Sequence, residues 1–448
     1  MTNGKSSTAL AAFAAFALAF APWLASPSRG QTPAQTPGMF RGDPAHTGVY
    51  AAKGPREFGG IAWKFATGGR VLSSPVFDRG VIYFGSDDHN IYAVDAETGV
   101  QKWKFETHAA VDSTPAVDSG LLFAASYDGY FYAIDAAKGT LRWKFKTEGE
   151  RRFEAKGLHG AQPASQTFWD PWDMFLSSPV VGQGAVFFGS GDGNIYALDQ
   201  WTGAVRWKFK TGDVVHSSPA YDAGTIYVGS WDGYLYALEA ASGLEKWRFK
   251  TGDDALMHNQ VGFQGSPAVA NGVVFAGCRD SHMYAVDAGD GKEKWNFGTK
   301  GSWVVDSPAL AGGMVLFGTS DSALFHALDA ATGKPLYQVQ DNFFLFSSPA
   351  VAGDTVYIGK MNGGLEALDL KTGKQLWEFQ TEDSKANRDL VLKADRSKND
   401  ATLFRPSDIG GVVSVERMFN LGSVASSPLV VNGKVYFGST DGFVYALK

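Results

Sequence analysis

The sequence predicts an all-β protein, an eight-bladed β-propeller whose ring is closed by an N-terminal outer strand. Three observations carry this expectation. The tripeptide Ser-Ser-Pro, or a close variant, occurs eight times, with prolines at Pro75, Pro115, Pro179, Pro219, Pro267, Pro308, Pro349 and Pro428. The steps between them are 40, 64, 40, 48, 41, 41 and 79 residues, so the basic period is about 40 with three steps lengthened. The chain ends without an outer strand, and a spare one stands ahead of the first repeat.

Within a unit the elements follow in a fixed order. Ser-Ser-Pro opens a short apolar stretch and a Gly turn. An apolar run such as VIYFGS or TIYVGS comes next, then a turn, often Asp-Gly, then NIYALD or a relative, a Thr-Gly turn, and WKFKT. That is four short strands separated by turn residues, rich in the Val, Ile, Tyr, Phe and Trp that favour strands. The second strand is apolar at consecutive positions, as in Val186-Phe187-Phe188, so both its faces must be buried. The last strand alternates, with Trp207 and Phe209 on one side and Lys208 and Lys210 on the other. Lysines on an outer strand discourage edge-to-edge pairing. The innermost strand therefore begins at Ser-Ser-Pro and the outermost carries Trp. Four-stranded sheets repeating at this period make a propeller. The last unit, Ser426 to Lys448, lacks its Trp strand, and IAWKFAT at Ile61 to Thr67 supplies it. The expected organisation is a signal peptide over 1–30, an N-terminal extension over 31–60 and the propeller over 61–448.

Composition narrows the class of function. The 448 residues are 44% apolar and carry a net charge of −6, from 40 Lys+Arg against 46 Asp+Glu, with no basic run. Nucleic-acid binding rests on clustered Lys and Arg, so no nucleic-acid partner is expected. The start of the chain has Lys5, then an uncharged apolar run from Ala9 to Ala25, then small residues and prolines. This reads as a secretory signal peptide cut near Ser26 to Gly30; an uncleaved anchor is the alternative, but the run is shorter than the roughly 20 residues a spanning helix needs. No Cys follows the run to carry a lipid, and no later segment reads as a membrane span. The expectation is a periplasmic or secreted monomer. The single Cys278 cannot make an internal disulfide.

At AVDAETGVQKW (Ala93 to Trp103), ALDQWTGAVRW (Ala197 to Trp207) and ALDLKTGKQLW (Ala367 to Trp377), the chain resembles the pyrroloquinoline-quinone-type repeat family and its tryptophan-docking motif, A-x-D-x-x-x-G-x-x-x-W. Weaker copies start at Ala133, Ala237, Ala285 and Ala327, the last ending in Tyr337. The resemblance covers nearly everything from Ile61 to Lys448. It implies that Trp63, Trp103, Trp143, Trp207, Trp247, Trp295 and Trp377 dock between neighbouring blades. It also implies one of two uses: a quinone-dependent periplasmic dehydrogenase, or a non-catalytic envelope scaffold of the BamB type. The docking motif is structural in both, so it does not decide function.

Few residues carry chemistry. The adjacent cysteine pair common in the quinone enzymes is absent, and Cys278 replaces a small repeat Ser, which reads as a packed thiol. A calcium ion over the quinone would need carboxylate and amide ligands in the funnel, which no motif assigns. Asp112 and Asp306, beside two Ser-Ser-Pro segments, are the candidates for a catalytic base; His216, Trp303, His258 and Asn259 are the candidates for contacts with a cofactor at the funnel mouth. The turn aspartates Asp128, Asp192, Asp232 and Asp441 read as local turn formers.

The stronger functional signal is where the extra residues lie. All three long steps interrupt the connection from an outer strand to the next inner strand, so the insertions 148–176, 253–265 and 381–421 crowd one face. The first is aromatic and offers Phe168, Trp169, Trp172 and Phe175 either as a lid over the funnel or as a binding face. The expected function is a non-catalytic binding or assembly scaffold of the envelope with a protein partner and no cofactor. The alternatives are a dehydrogenase dependent on pyrroloquinoline quinone (PQQ) and Ca²⁺, and a carbohydrate-binding protein using Trp169 and Trp172.

Overall fold

The computed structural model describes residues 1, 38–158, 163, 165–252, 262–405 and 411–448. The expected signal peptide, and His258 and Asn259 of the second insertion, lie outside the described residues. Eight sheets, each with four antiparallel strands, form the blades of the propeller, and blade 7 gains a fifth strand. Blade 4 shows the pattern: Ala220–Asp222 innermost, then Thr225–Gly229, Tyr234–Glu239 and Glu245–Lys250. Thr225–Gly229 is buried at every position, while Glu245–Lys250 buries Trp247 and exposes Lys246, Arg248 and Lys250. Blade 8 closes as the sequence predicts: Ile61–Ala66 pairs antiparallel with Phe443–Leu447, with Trp63 opposite Ala446.

The two serines of the repeat explain the ring. The first serine's hydroxyl accepts the N–H of the glycine that ends the second strand, as in Gly189 to Ser177 at 2.9 Å and Gly438 to Ser426 at 2.8 Å. The second accepts the corresponding N–H of an adjacent blade. Ser74 donates to Thr114, Thr114 to Ser178, Ser178 to Ser218, Ser218 to Ser266, Ser266 to Ser307, Ser307 to Ser348, and Ser427 back to Ser74. Short inner strands are thereby tied blade to blade around the axis.

The docking motif ties the rim. Each Trp Nε1 donates to a backbone carbonyl of the following blade: Trp63 to Ala96, Trp103 to Ala136, Trp143 to Gln200, Trp207 to Ala240, Trp247 to Ala288 and Trp295 to Ala330, all at 2.9 to 3.1 Å. Tyr337 does the same through its hydroxyl, to Leu370 at 2.8 Å. The motif glycine lets the ring approach. At Gly203 φ is +72° and an added Cβ would sit 2.6 Å from Trp143.

Residues 38–60, expected as an extension ahead of the propeller, are woven into it. The carbonyls of Gly38, Pro44, Ala45, Thr47 and Gly48 accept N–H groups of Val117, Tyr221, Val269, Leu310 and Val351 on the inner strands of blades 2, 4, 5, 6 and 7. Val49–Tyr50 then pairs in parallel with the inner strand Ala350–Ala352. Pro55 supplies the carbonyl on which Trp377 docks, at 3.0 Å. For blade 8 the N-terminal segment supplies the acceptor that the chain after the third strand supplies in the other blades.

Candidate functional site

The channel along the propeller axis is closed. Its wall is the residue preceding each first serine or its replacement: Leu72, Asp112, Leu176, His216, Gln264, Val305, Phe346 and Ala425. Phe40 enters from the N-terminal segment and Phe175 from the first insertion, leaving about 40 Å³, room for a few waters. Above it, Trp172 and Met174 of the first insertion pack with Val391, Leu392, Leu403, Val415, Met418 and Phe419 of the third in one apolar cluster. Trp172 meets Phe346 edge-on at 5.6 Å and is only 7% exposed. Two of the three insertions thus meet over one mouth, as a lid.

The lid is locked by polar contacts to the turns beneath it. His216, buried in blade 4, places Nδ1 2.8 Å from Asp173 and Nε2 2.9 Å from Glu150. Burial alone would lower its pKa, but the two carboxylates outweigh this and push it up to about 10. The imidazole is therefore a cation bridging two parts of the first insertion. Phe153 stacks on Trp231 at 4.3 Å with the planes 7° apart. The Arg279 guanidinium lies 3.7 Å from the Trp303 ring centroid and 4.8 Å from that of Trp231, and it donates to Asp170. Trp303 and His216 are thus both parts of the lid's foundation.

The two catalytic candidates are not brought together. Asp306 replaces the first serine of blade 6 and takes that serine's bond, from the Gly318 N–H at 2.8 Å. Burial pushes its carboxyl up to about 8, against the pull of that N–H and of Arg41, which rises from the N-terminal segment. Asp112 lies on blade 2, facing Asp87. Both carboxyl groups are raised by burial, Asp112 the more strongly because Asp87 adds a like charge and a shared hydrogen bond. Each carboxyl group thus disfavours ionisation of the other.

This pair opens into a cleft of about 310 Å³ beside the closed channel. Arg70, Asp87, Asp112 and Tyr127 come from blades 1 and 2, Arg152, Trp169 and Met174 from the first insertion, and Val415, Glu416 and Phe419 from the helix Val412–Phe419 of the third. Arg70 forms a two-pronged bond to Glu416, and Arg152 lies 4.8 Å over Trp169. Trp169 is 43% exposed and Phe168 half-buried. Of the four aromatics expected as a face, Trp169 is therefore the one presented to solvent, while Trp172 and Phe175 point inward to the lid and channel.

Sequence reading missed Asp87, Tyr127, Trp231 and Arg279. All four stand at one position, the variable residue of the turn that is typically Gly-Ser-x-Asp-Gly. The turn's recurrent Asp does local work: Asp232 accepts the Tyr234 N–H at 2.9 Å and the Tyr236 hydroxyl at 2.7 Å. The variable residue points to the insertion face, and its variability between blades was the available signal. Cys278 is buried with its thiol raised well above the ordinary range by burial, in keeping with a packed side chain.

The axis does not fit a flat quinone: Phe40 and Phe175 occupy the space it would need. Among the described residues, no three His, Cys, Asp or Glu side chains converge in a way that could hold a metal ion. No described helix is long and apolar enough to cross a membrane.

Fold and repeat define the class, a β-propeller of pyrroloquinoline-quinone-type repeats. The family described as "Outer membrane protein assembly factor BamB" matches over residues 51–168, 158–296 and 254–448, and the chain belongs to that family. Curated relatives match over short stretches. A lanthanide-dependent methanol dehydrogenase of Methylacidiphilum fumariolicum is 40% identical over 55 residues, 12% of this chain and 9% of that protein. The outer membrane protein assembly factor BamB of Salmonella typhimurium is 29% identical over 103 residues, 22% of this chain and 25% of that one. The matched stretches thus span a quarter or less of these relatives. Among solved structures, BamB from Moraxella catarrhalis superposes with a TM-score of 0.64 at 16% identity, over 87% of this chain and 99% of that one. A quinohemoprotein alcohol dehydrogenase from Comamonas testosteroni gives 0.67 at 15% identity, over 92% and 80%. At these identities the likeness is one of fold.

Proposed function

We propose that the protein is a non-catalytic binding or assembly scaffold of the cell envelope, working like the BamB proteins through the face that carries its insertions. One observation carries this reading: the funnel is filled from both ends, by Phe40 below and by the lid of Trp172, Met174 and Phe175 above. A propeller used as a scaffold needs its rim and loops and has no use for an open axis. The expected partner is an envelope protein, and the expected location is the periplasm.

A dehydrogenase dependent on PQQ and Ca²⁺ is the second reading, because Asp112 stands in the channel wall with a carboxyl raised by burial, and a general base works best with its pKa near the working pH. It would need both Phe40 and the lid to withdraw. The experiment is a titration of the purified protein with PQQ and Ca²⁺, followed by calorimetry and by quinone absorbance. The scaffold reading expects no saturable binding. Saturable binding at micromolar concentration, with quinone reduction on adding an alcohol, would replace it with the dehydrogenase.

A further inference from the structure

The cleft between blades 1 and 2 is not explained by a scaffold role. Its floor carries buried polar groups with bonding capacity to spare. The Oδ1 atoms of Asp112 and Asp87 have no partner beyond the bond the two carboxyl groups share, and the Tyr127 hydroxyl, beside Arg152, has no partner of good hydrogen-bond geometry. Asp112 is only 4% exposed, and it lines the cleft. Buried polar atoms are nearly always bonded, so such a group marks a place where something else binds.

The lining also says what kind of molecule. Three acids (Asp87, Asp112, Glu416) face two arginines (Arg70, Arg152), so charges of both signs line the cleft in nearly equal number. A balanced site selects against polyanions and free cations. The carboxyl oxygens accept hydrogen bonds, and the Tyr127 hydroxyl both donates and accepts, which suits hydroxyl groups. At the rim stands an indole, Trp169, carried on the ribbon in which Thr167–Trp169 pairs with Glu154–Lys156. Its neighbours Pro171, Met174, Val415 and Phe419 extend the apolar wall. A cleft of about 310 Å³ suits a small ligand.

We propose that this cleft binds a neutral saccharide of one or two rings, its C–H face packed on Trp169 and its hydroxyls bonded to Asp112, Asp87 and Tyr127. A pyranose combines an apolar face with a rim of hydroxyls, the two features the walls and floor present. The site is independent of the scaffold role, and neither requires the other.

The test uses the full chain with glucose, N-acetylglucosamine, cellobiose, maltose and chitobiose as probes, read by saturation-transfer NMR and calorimetry. At least one probe is expected to bind saturably at millimolar concentration or tighter. Asp112→Asn and Trp169→Ala are each expected to weaken it by roughly tenfold or more, with circular dichroism and melting unchanged for Trp169→Ala. Trp201→Ala removes an indole that is 56% exposed and outside the cleft, and should leave binding intact. The proposal is overturned if none of the five probes binds, if binding survives both cleft variants, or if PQQ binds and displaces the saccharide.

Discussion

His216 Nδ1 lies 2.8 Å from Asp173 and its Nε2 2.9 Å from Glu150, so one buried imidazolium holds both ends of the lid's anchored stretch against blade 4. The contact links the repeat to the insertion that departs from it. It also gives the lid a dependence on protonation.

Above about pH 6.5, stability should fall as pH rises. His216 has an ordinary pKa of 6.5, raised to about 10 in the fold, so its stabilisation is fully present below 6.5 and is lost on approach to 10. Asp306 is raised to about 8, and it too holds a proton in the fold that the unfolded chain releases. Between about pH 8 and 10, His216 is the one of the two still changing. Urea denaturation across this window should show a decline that His216→Gln flattens. His216→Ala is expected to cost about 3–5 kcal/mol below pH 6.5, since it strands two buried carboxylates. An unchanged slope in His216→Gln would remove the imidazolium from the account.

Gly191 is a glycine because of the lid. Its N–H donates to Glu150 at 2.7 Å, and an added Cβ would overlap Glu150 Oε1 and the Arg151 backbone. Gly191→Ala should loosen the first insertion while leaving the blades folded. Limited proteolysis should then cut within 148–176 faster than in the parent protein, with an unchanged far-UV spectrum. Equal cutting rates would show that the insertion is not held there.

Tyr337 imitates the docking tryptophans through its 2.8 Å bond to Leu370. Tyr337→Phe keeps the ring and removes the donor, and should cost about 1 kcal/mol in urea denaturation. Tyr337→Trp should be tolerated, since the indole N–H serves the same carbonyl position in seven other blades. Equal stability of the Phe variant would mean the bond adds nothing to ring packing.

Phe40 is the plug. Phe40→Ala should cost about 3–5 kcal/mol, as for other large buried rings, and should enlarge the axial space enough for a small apolar probe to enter. Denaturant midpoints and quenching of intrinsic fluorescence by such a probe read the two effects separately. A stability loss under 1 kcal/mol would mean Phe40 is not packed as described.

Much of the fold was legible because it repeats. The second serine of the Ser-Ser-Pro segments and the docking tryptophans make the same bonds in one blade after another, so period and chemistry coincide. The broken last unit also declared its closure, since Ile61–Ala66 had nowhere else to pair. What the sequence could not declare was non-repeating contact. Residues 38–50 contribute backbone carbonyls to five blades, and carbonyls carry no side-chain signature. The aspartate pair joins Asp87 and Asp112 across two blades, and nothing in their spacing of 25 residues marks them as neighbours. Asp306 looked catalytic because it is charged, yet it does a serine's work.

The closed channel is the observation on which the proposed scaffold function rests, and amide hydrogen exchange tests it most directly. Val117, Tyr221, Val269, Leu310 and Val351 donate their N–H groups to the N-terminal segment at 2.6 to 2.8 Å. If the segment plugs the channel in solution, these five amides exchange as slowly as those of the buried second strands, and PQQ with Ca²⁺ does not change them. If they exchange within seconds, or become protected only when the quinone is added, the channel is open and the account is contradicted.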